Sequence, residues 1–181
     1  MANPFFLYSD RLQFRLWTHN DSGLAKDLWG AQEVTKYIGG PFSLRQINER
    51  LQKEITNDSQ YGVQYWPVFL RHDNTFIGCC GLRPYKDKKK VMELGFHLRS
   101  EHWGKGYATE AAKSIISYAF EELKIIQLFA GHHPNNAGSK KALIKLGFQY
   151  IHDQYYPPTG LNHPSYELSY ENYRWNYRNL K

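Results

Sequence analysis

Between Val91 and Arg99, apolar Met92, Leu94, Phe96 and Leu98 alternate with Glu93, Gly95, His97 and Arg99, the period of two of a half-buried strand. One face of that strand enters a core, and the other presents a carboxylate, a gap and an imidazole. The turn Trp103-Gly-Lys-Gly-Tyr-Ala108 follows. Beyond it Ala108, Ala112, Ile115, Ala119 and Leu123 recur at helical spacing, with Ala111, Ile116 and Phe120 widening the stripe. Ile126, Leu128 and Ala130 then mark another strand. A strand, helix, strand unit of this kind implies a parallel pair joined by a right-handed crossover.

Upstream, Leu12, Phe14 and Leu16 alternate with Gln13, Arg15 and Trp17 in a first strand, after which Asn20 or Asp21 caps a helix carrying Leu24, Ala25 and Leu28. Residues 34–41 read as a connector. Ser43 and Gln46 have capping-box spacing ahead of Leu44, Ile47, Leu51 and Ile55, which predicts a helix over 43–56. Residues 65–71 and 75–82 form a hairpin around His72-Asp-Asn74. Within it Pro67 lacks a ladder donor and argues for an edge or irregular position. Downstream, Asn135-Asn136 supplies caps for a helix through Leu146, and Gly147 stands where a left-handed C-terminal cap is wanted. Strands at 148–153 and 166–170 flank a Pro157-Pro-Thr-Gly160 loop. The tail 173–178 mixes aromatic and basic residues, for packing or for stacking on nucleic acid. The fold class is a mixed α+β or α/β domain, a central mixed sheet of about six to seven strands flanked by about four helices.

At 181 residues, the chain 1–181 is one domain, long enough to bury a core. Hydrophobic content of 41% and aromatic content of 16% exclude a disordered chain, and no apolar run is long enough to span a bilayer. The N-terminus lacks the features of a signal peptide and the glycine needed for myristoylation, so the expected compartment is cytoplasmic. Cys79 and Cys80 are adjacent in an expected strand and point to opposite faces, which argues against a disulfide between them and suits a reducing compartment. A net charge of +6 would attract nucleic acid, or the phosphates of a small anionic ligand. Its densest cluster, Lys86, Lys88, Lys89 and Lys90, reads as a solvated loop.

The glycine turn empties directly into a helix N-terminus. That leaves free N–H groups and the positive end of the helix dipole where no side chain blocks a phosphate. The same glycines could also simply turn the chain. The dinucleotide pattern would need glycine or alanine at Thr109, and the P-loop pattern Gly-Lys-Ser/Thr, where this chain offers Gly138-Ser139-Lys140. His132 and His133 are adjacent rather than at metal-ligand spacing, the cysteines lack partners at fixed intervals, and there is no Gly-x-Ser-x-Gly elbow. No metal or covalent nucleophile is implied.

Glu93-Leu-Gly-Phe-His-Leu98, Trp103-Gly-Lys-Gly-Tyr-Ala-Thr-Glu-Ala111, Asn136-x-x-Ser139 and Leu146-Gly-Phe148 together resemble the GNAT superfamily of acetyl-CoA-dependent N-acetyltransferases. The opening Tyr8-Ser-Asp-Arg-Leu-Gln-Phe-Arg15 resembles its ribosomal-protein N-acetyltransferase (RimJ/RimL-like) branch. In the family's pyrophosphate signature, Gln/Arg-x-x-Gly-x-Gly/Ala, Gly106 and Ala108 match and Trp103 departs. The resemblance implies acetyl-CoA as cosubstrate, its diphosphate gripped by the backbone of Trp103, Gly104, Lys105, Gly106, Tyr107, Ala108 and Thr109. By the same resemblance, Phe96 and Leu98 pair with the pantetheine amides through their backbone, and Asn136 holds the pantetheine arm. It places Glu93 beside the thioester as the base, acting through a water; the alternative is a structural carboxylate paired with Arg or Lys. His97 is a second candidate base or a packing residue. The family's tyrosine for the departing thiolate would fall at Leu143 or Ile144 and is absent. Ser139 is then the donor to sulfur by analogy, or a residue that satisfies the helix start.

An amine attacks a thioester only as the neutral base. With an α-amino pKa of about 8 and a lysine pKa of about 10.4, roughly a tenth of N-termini but fewer than one lysine in a thousand are neutral at pH 7. The expected acceptor is therefore a protein N-terminal α-amine, with a small-molecule amine (an aminoglycoside, polyamine or amino acid) as the alternative. The first two helices, the 83–90 loop and the 155–164 loop would shape its site. Two other classes stay open, a CoA-binding module without turnover and, less favoured, a nucleic-acid-binding protein. No membrane partner is expected, and a homodimer is compatible with the sequence.

Overall fold

Two short strands, β1 (Phe5–Tyr8) and β2 (Leu12–Arg15), open the computed structural model, which describes residues 3–86 and 88–178, with side chains through Asn176. Asp87 of the basic loop, and the side chains of Tyr177 and Arg178 in the tail, lie outside the described residues. Helices α1 (Ser22–Trp29), α2 (Gln32–Thr35) and α3 (Leu44–Tyr61) follow. The hairpin of β3 (Tyr65–Leu70) and β4 (Phe76–Pro84) leads into β5 (Val91–Leu98) and α4 (Tyr107–Ser117). The chain continues through β6 (Gln127–Gly131), α5 (Ala137–Lys145), β7 (Gln149–Tyr156), β8 (Leu161–Ser169) and α6 (Tyr170–Arg178).

All eight strands join one sheet in the order β1-β2-β3-β4-β5-β6-β8-β7. Only β5 and β6 run parallel, as their linking helix requires. The sheet exceeds the expected six to seven strands because β1, Phe-Phe-Leu-Tyr, is an apolar run with no alternation to announce it. Two helices also go beyond the expected four. One is α2, which overlaps the start of the stretch read as a connector, and the other is α6, whose Tyr173 is buried with its ring 4.9 Å from that of Phe120.

The sheet divides two cores. On one face α4 lays Ala111, Ala112, Ile115 and Ile116, followed by Ala119 just beyond its end, against Trp66, Ile77, Cys80 and Leu94. Small residues on that stripe let the helix approach the sheet closely. On the other face α1 and α3 press Leu28, Trp29, Ile47 and Leu51 against Tyr65, Phe69 and Cys79. Each large apolar side chain so buried contributes about 1.5–3 kcal/mol. The two free cysteines part company at the sheet as the strand period dictates.

Two local expectations need correction, and a third, for Pro67, resolves to the irregular position rather than the edge. Pro67 lies on an interior strand, paired with Cys79 of β4, next to an irregularity at Val68 and Phe69. The ladder from β2 to β3 ends at Phe14 and Val68, so the missing N–H of Pro67 falls where that neighbour has stopped. Helix α3 starts at the expected cap, Ser43 accepting from the Gln46 N–H, but runs on to Gly62, whose φ of 68° stops it. Its continuation is hidden in the pattern because its last turns bury Glu54 and Asn57. Asp21 stands at the N-cap of α1, yet its carboxylate binds Arg15 at 2.7 Å and Thr18 instead of the helix.

Candidate active site

Strands β5 and β6 pair only where Val91, Met92 and Glu93 meet Gln127, Leu128 and Phe129. Beyond Glu93 they part, and a cleft of about 780 Å³ opens along the freed edge of β5. The Arg99 N–H donates to the Ile77 carbonyl at 3.0 Å, which fixes the phase of the β4–β5 ladder. By alternation, Phe96 and Leu98 turn their backbone groups to the open side. The Leu98 carbonyl is not free there, because the Trp103 Nε1–H donates to it at 2.7 Å. What remains for an extended ligand is both groups of Phe96 and the N–H of Leu98.

At one end of the cleft the turn after β5 uses two glycines in left-handed conformation, Gly104 at φ 74° and Gly106 at φ 81°. A Cβ on Gly104 would meet nothing within 4 Å, and one on Gly106 only Arg11 Nη2 at 3.6 Å. Open space therefore stands over the turn where it feeds α4, and the first N–H groups of that helix have no partner within it. A diphosphate fits such a surface. Trp103, Gly104, Gly106, Tyr107, Ala108 and Thr109 all line the cleft. Lys105 does not, and its carbonyl instead accepts from Arg11 Nη1 at 3.2 Å.

Arg11 and Glu110 are the support that sequence reasoning missed. Glu110 accepts from Ser9 Oγ at 2.7 Å, from the Arg11 backbone N–H at 2.8 Å and from Arg11 Nε at 2.7 Å. The guanidinium also lies 4.5 Å over the Tyr107 ring. The N-terminal segment is thereby tied to the turn.

Farther along, Glu93 faces the cleft from the opposite side of β5. Burial pushes its carboxyl above the ordinary value of 4.5; Arg83 and Lys53 pull it down without reversing the direction, and Glu54 adds to the rise. Its cross-strand neighbour is Arg83, but Arg83 is ion-paired to the wholly buried Glu54 and stacked 3.9 Å over the Tyr65 ring. Glu54 in turn accepts from the Tyr65 N–H at 2.8 Å. Among the described residues Glu93 has no hydrogen-bond or ion-pair partner of its own. The gap at Gly95 is filled from β3, one strand beyond its neighbour, since a Cβ there would lie 2.2 Å from the Tyr65 hydroxyl.

His97 is a packing residue. Its Nδ1 accepts from Trp29 Nε1 at 3.2 Å, and burial, together with the charges of Arg50 and Arg83, pushes the imidazole down to about 3. A ring neutral at any working pH, with Nδ1 engaged, leaves Glu93 as the titrating group of that face.

The start of α5 brings the remaining candidates to the same cleft. Asn136 caps the helix, its Oδ1 accepting from the Ser139 N–H at 3.1 Å. Its side-chain N–H₂ is left for the cleft, and the Ser139 hydroxyl makes no hydrogen bond among the described residues. The acceptor end is walled by Glu33 of α2, Tyr37 of the connector, Arg50 of α3, Tyr85 of the basic loop, and Tyr156 and His163 of the last hairpin. Helix α1 contributes nothing to the lining, although it was expected to. Among these lining residues the Tyr37 and His133 rings meet tilted at 5.0 Å, and the Tyr156 and His163 rings at 4.7 Å. The described residues contain no group of three His, Cys, Asp or Glu suited to a metal, and no helix long and apolar enough to cross a membrane.

The sequence and the overall fold are shared with known proteins. The profile of the acetyltransferase (GNAT) domain matches residues 11–149. The protein YkkB of Bacillus subtilis is 32% identical over 80% of this chain and 85% of its own. The N-acetyltransferase p20 of Bacillus licheniformis is 30% identical over 79% and 82%. Among solved structures, RimL, a ribosomal L7/L12 α-N-protein acetyltransferase in complex with coenzyme A, superposes with a TM-score of 0.78 at 13% identity, covering 91% of this chain and 97% of that one. With the family profile spanning most of the sequence, and the split sheet and glycine turn in place, the chain belongs to the GNAT family and is an N-acetyltransferase.

Proposed function

We propose that the protein transfers the acetyl group of acetyl-CoA to a primary amine, with the α-amino group of a protein N-terminus as the acceptor. The observation that supports it is one continuous cleft joining the glycine turn at 104–109 to Glu93. The turn takes the diphosphate, and Phe96 with the Leu98 N–H takes the pantetheine amides. Asn136 steadies the arm, and the thioester then lies between Glu93 and Ser139. Glu93, directly or through a water, removes a proton from the incoming ammonium. The free nitrogen attacks the carbonyl carbon, the C–S bond breaks, the nitrogen's second proton passes to the sulfur so that CoA leaves as the thiol, and the Ser139 hydroxyl donates a hydrogen bond to that departing sulfur. A carboxylate made more basic by burial suits this step, and an α-amine needs less help than a lysine. The likeness to RimL supports the N-terminal acceptor. The proposal is tested by following CoA release with N-terminal peptides set against lysine peptides, aminoglycosides and polyamines. Turnover confined to acceptors without an α-amine would overturn the acceptor assignment, and no acetyl-CoA binding by calorimetry would overturn the whole reading.

A further inference from the structure

The acceptor end of the cleft holds a guanidinium that has no ion-pair partner among the described residues. Arg50, half-buried on α3, lines the cleft and rests 4.2 Å over the Phe42 ring. That ring contact is its only close partner, for it makes no hydrogen bond or ion pair among the described residues. An arginine stacked on an aromatic face keeps its edge N–H groups free, and that edge matches a carboxylate bidentately. Arg83, the second arginine there, is neutralised by Glu54, yet its Nε is buried without a partner. Glu93 must take up a proton in the proposed reaction and cannot serve as a permanent counter-ion. Burial, then the charge of Arg83, makes the Arg50 cation costly and lowers its pKa below the ordinary arginine value. A bound anion would relieve both effects.

We propose that the acceptor is an amine that also carries a carboxylate, which Arg50 binds while Glu93 takes the ammonium proton. This rests on the N-acetyltransferase reading and narrows its substrate class. Purely cationic acceptors would bring their charges to an unneutralised cation. Free amino acids and peptides with an acidic side chain near the N-terminus both offer the required chemistry.

The test uses the full chain and its Arg50→Gln and Arg50→Lys variants, with kcat/KM from CoA release and Kd from calorimetry on the CoA complex. The acceptors are an amino acid and its primary amide, a peptide with glutamate at its second position and the glutamine equivalent, and a polyamine. In the wild type the acid should be preferred over its amide by roughly ten- to a hundredfold in one of the two pairs, and that pair identifies the source of the carboxylate. Arg50→Gln should bring the acid and its amide together, and Arg50→Lys should keep part of the preference. The inference is overturned if acid and amide tie in both pairs, if the preference survives Arg50→Gln, or if no carboxylate-bearing amine binds or reacts. Acetyl-CoA binding, measured alongside, separates the two levels. Where it holds and the acid preference is absent, only this inference falls.

Discussion

Arg11 and Glu110 stand ninety-nine positions apart in the chain and meet at 2.7 Å, Nε to Oε2, on the first turn of α4. The contact fastens the entry to β2 onto the glycine turn, because the same guanidinium also reaches the Lys105 carbonyl. Burial raises the Glu110 carboxyl, but the bonds from Ser9 and Arg11 and the charge of Arg11 outweigh it, leaving the group below its ordinary 4.5.

Glu110→Gln should therefore cost about 1 kcal/mol at pH 7, a modest figure because Arg11 is half exposed. A depressed carboxylate contributes stability above its unfolded pKa and loses it as pH falls through the folded one. The gap between wild type and variant in urea melts should thus be full at pH 7 and close as pH drops below 4.5. Acetyl-CoA affinity should fall as well, since the turn loses its brace. A gap constant with pH would show that the carboxylate charge is not what the brace uses.

The order of most elements, the parallel strand, helix, strand unit and the glycine turn at a helix start were legible because each leaves a local signal: alternation in β5, a glycine pair before a helical stripe, a capping box at Ser43. The acceptor end was not, because its parts come from distant elements and carry no shared spacing. Glu54 and Arg83 are twenty-nine positions apart and look like surface charges in a helix and a strand. The face of β5 that carries Glu93 reads as solvent-facing in sequence, yet Tyr65, Trp29 and Arg83 cover it. An inward-facing polar cluster breaks the rule that periodicity relies on. The Leu98 carbonyl shows the same limit, since no pattern indicates that the Trp103 indole already occupies it.

Glu93→Gln should leave acetyl-CoA binding intact and lower kcat by about a hundredfold or more. In the wild type, activity should fall with acid as the carboxylate takes up a proton, at a midpoint above the ordinary 4.5, and the variant should lack that limb. The stability prediction has the opposite sign from that for Glu110. A carboxylate whose folded pKa is raised contributes stability below its unfolded pKa and loses it as pH rises through the folded value. Glu93→Gln should accordingly be no less stable than the wild type at pH 7 and gain relative to it between pH 4 and 7. An unchanged kcat would remove Glu93 from the mechanism.

Gly106 permits a test that separates charge from strain. At φ 81° any side chain is strained, but Asn and Asp tolerate that region best. Gly106→Asn and Gly106→Asp should lose similar stability, on the order of 1–2 kcal/mol. Both should weaken acetyl-CoA binding by crowding the turn, and the Asp variant should abolish it by placing an anion against the diphosphate. Equal affinities for the two variants in calorimetry would place the phosphates elsewhere.

Gly95 and Tyr65 supply a test of the acceptor wall alone. Gly95 has no left-handed φ to accommodate, so Gly95→Ala is allowed by the backbone and opposed only by the Tyr65 ring, whose Cζ would lie 2.3 Å from the new methyl. The ring cannot yield freely, because Arg83 stacks on it at 3.9 Å and His97 meets it edge-on at 5.7 Å. Overpacking of this kind costs about 1–3 kcal/mol. The displaced ring should take Arg83 off Glu54, so KM for the acceptor should rise several-fold while acetyl-CoA affinity, set at the glycine turn, stays put. Adding Tyr65→Leu should recover part of the lost stability by removing the clash, without restoring the acceptor KM, because the wall that holds Arg83 is then missing. If Gly95→Ala alone raised KM for acetyl-CoA and acceptor equally, the two ends of the cleft would be mechanically one, and the division of labour between turn and wall would have to be abandoned.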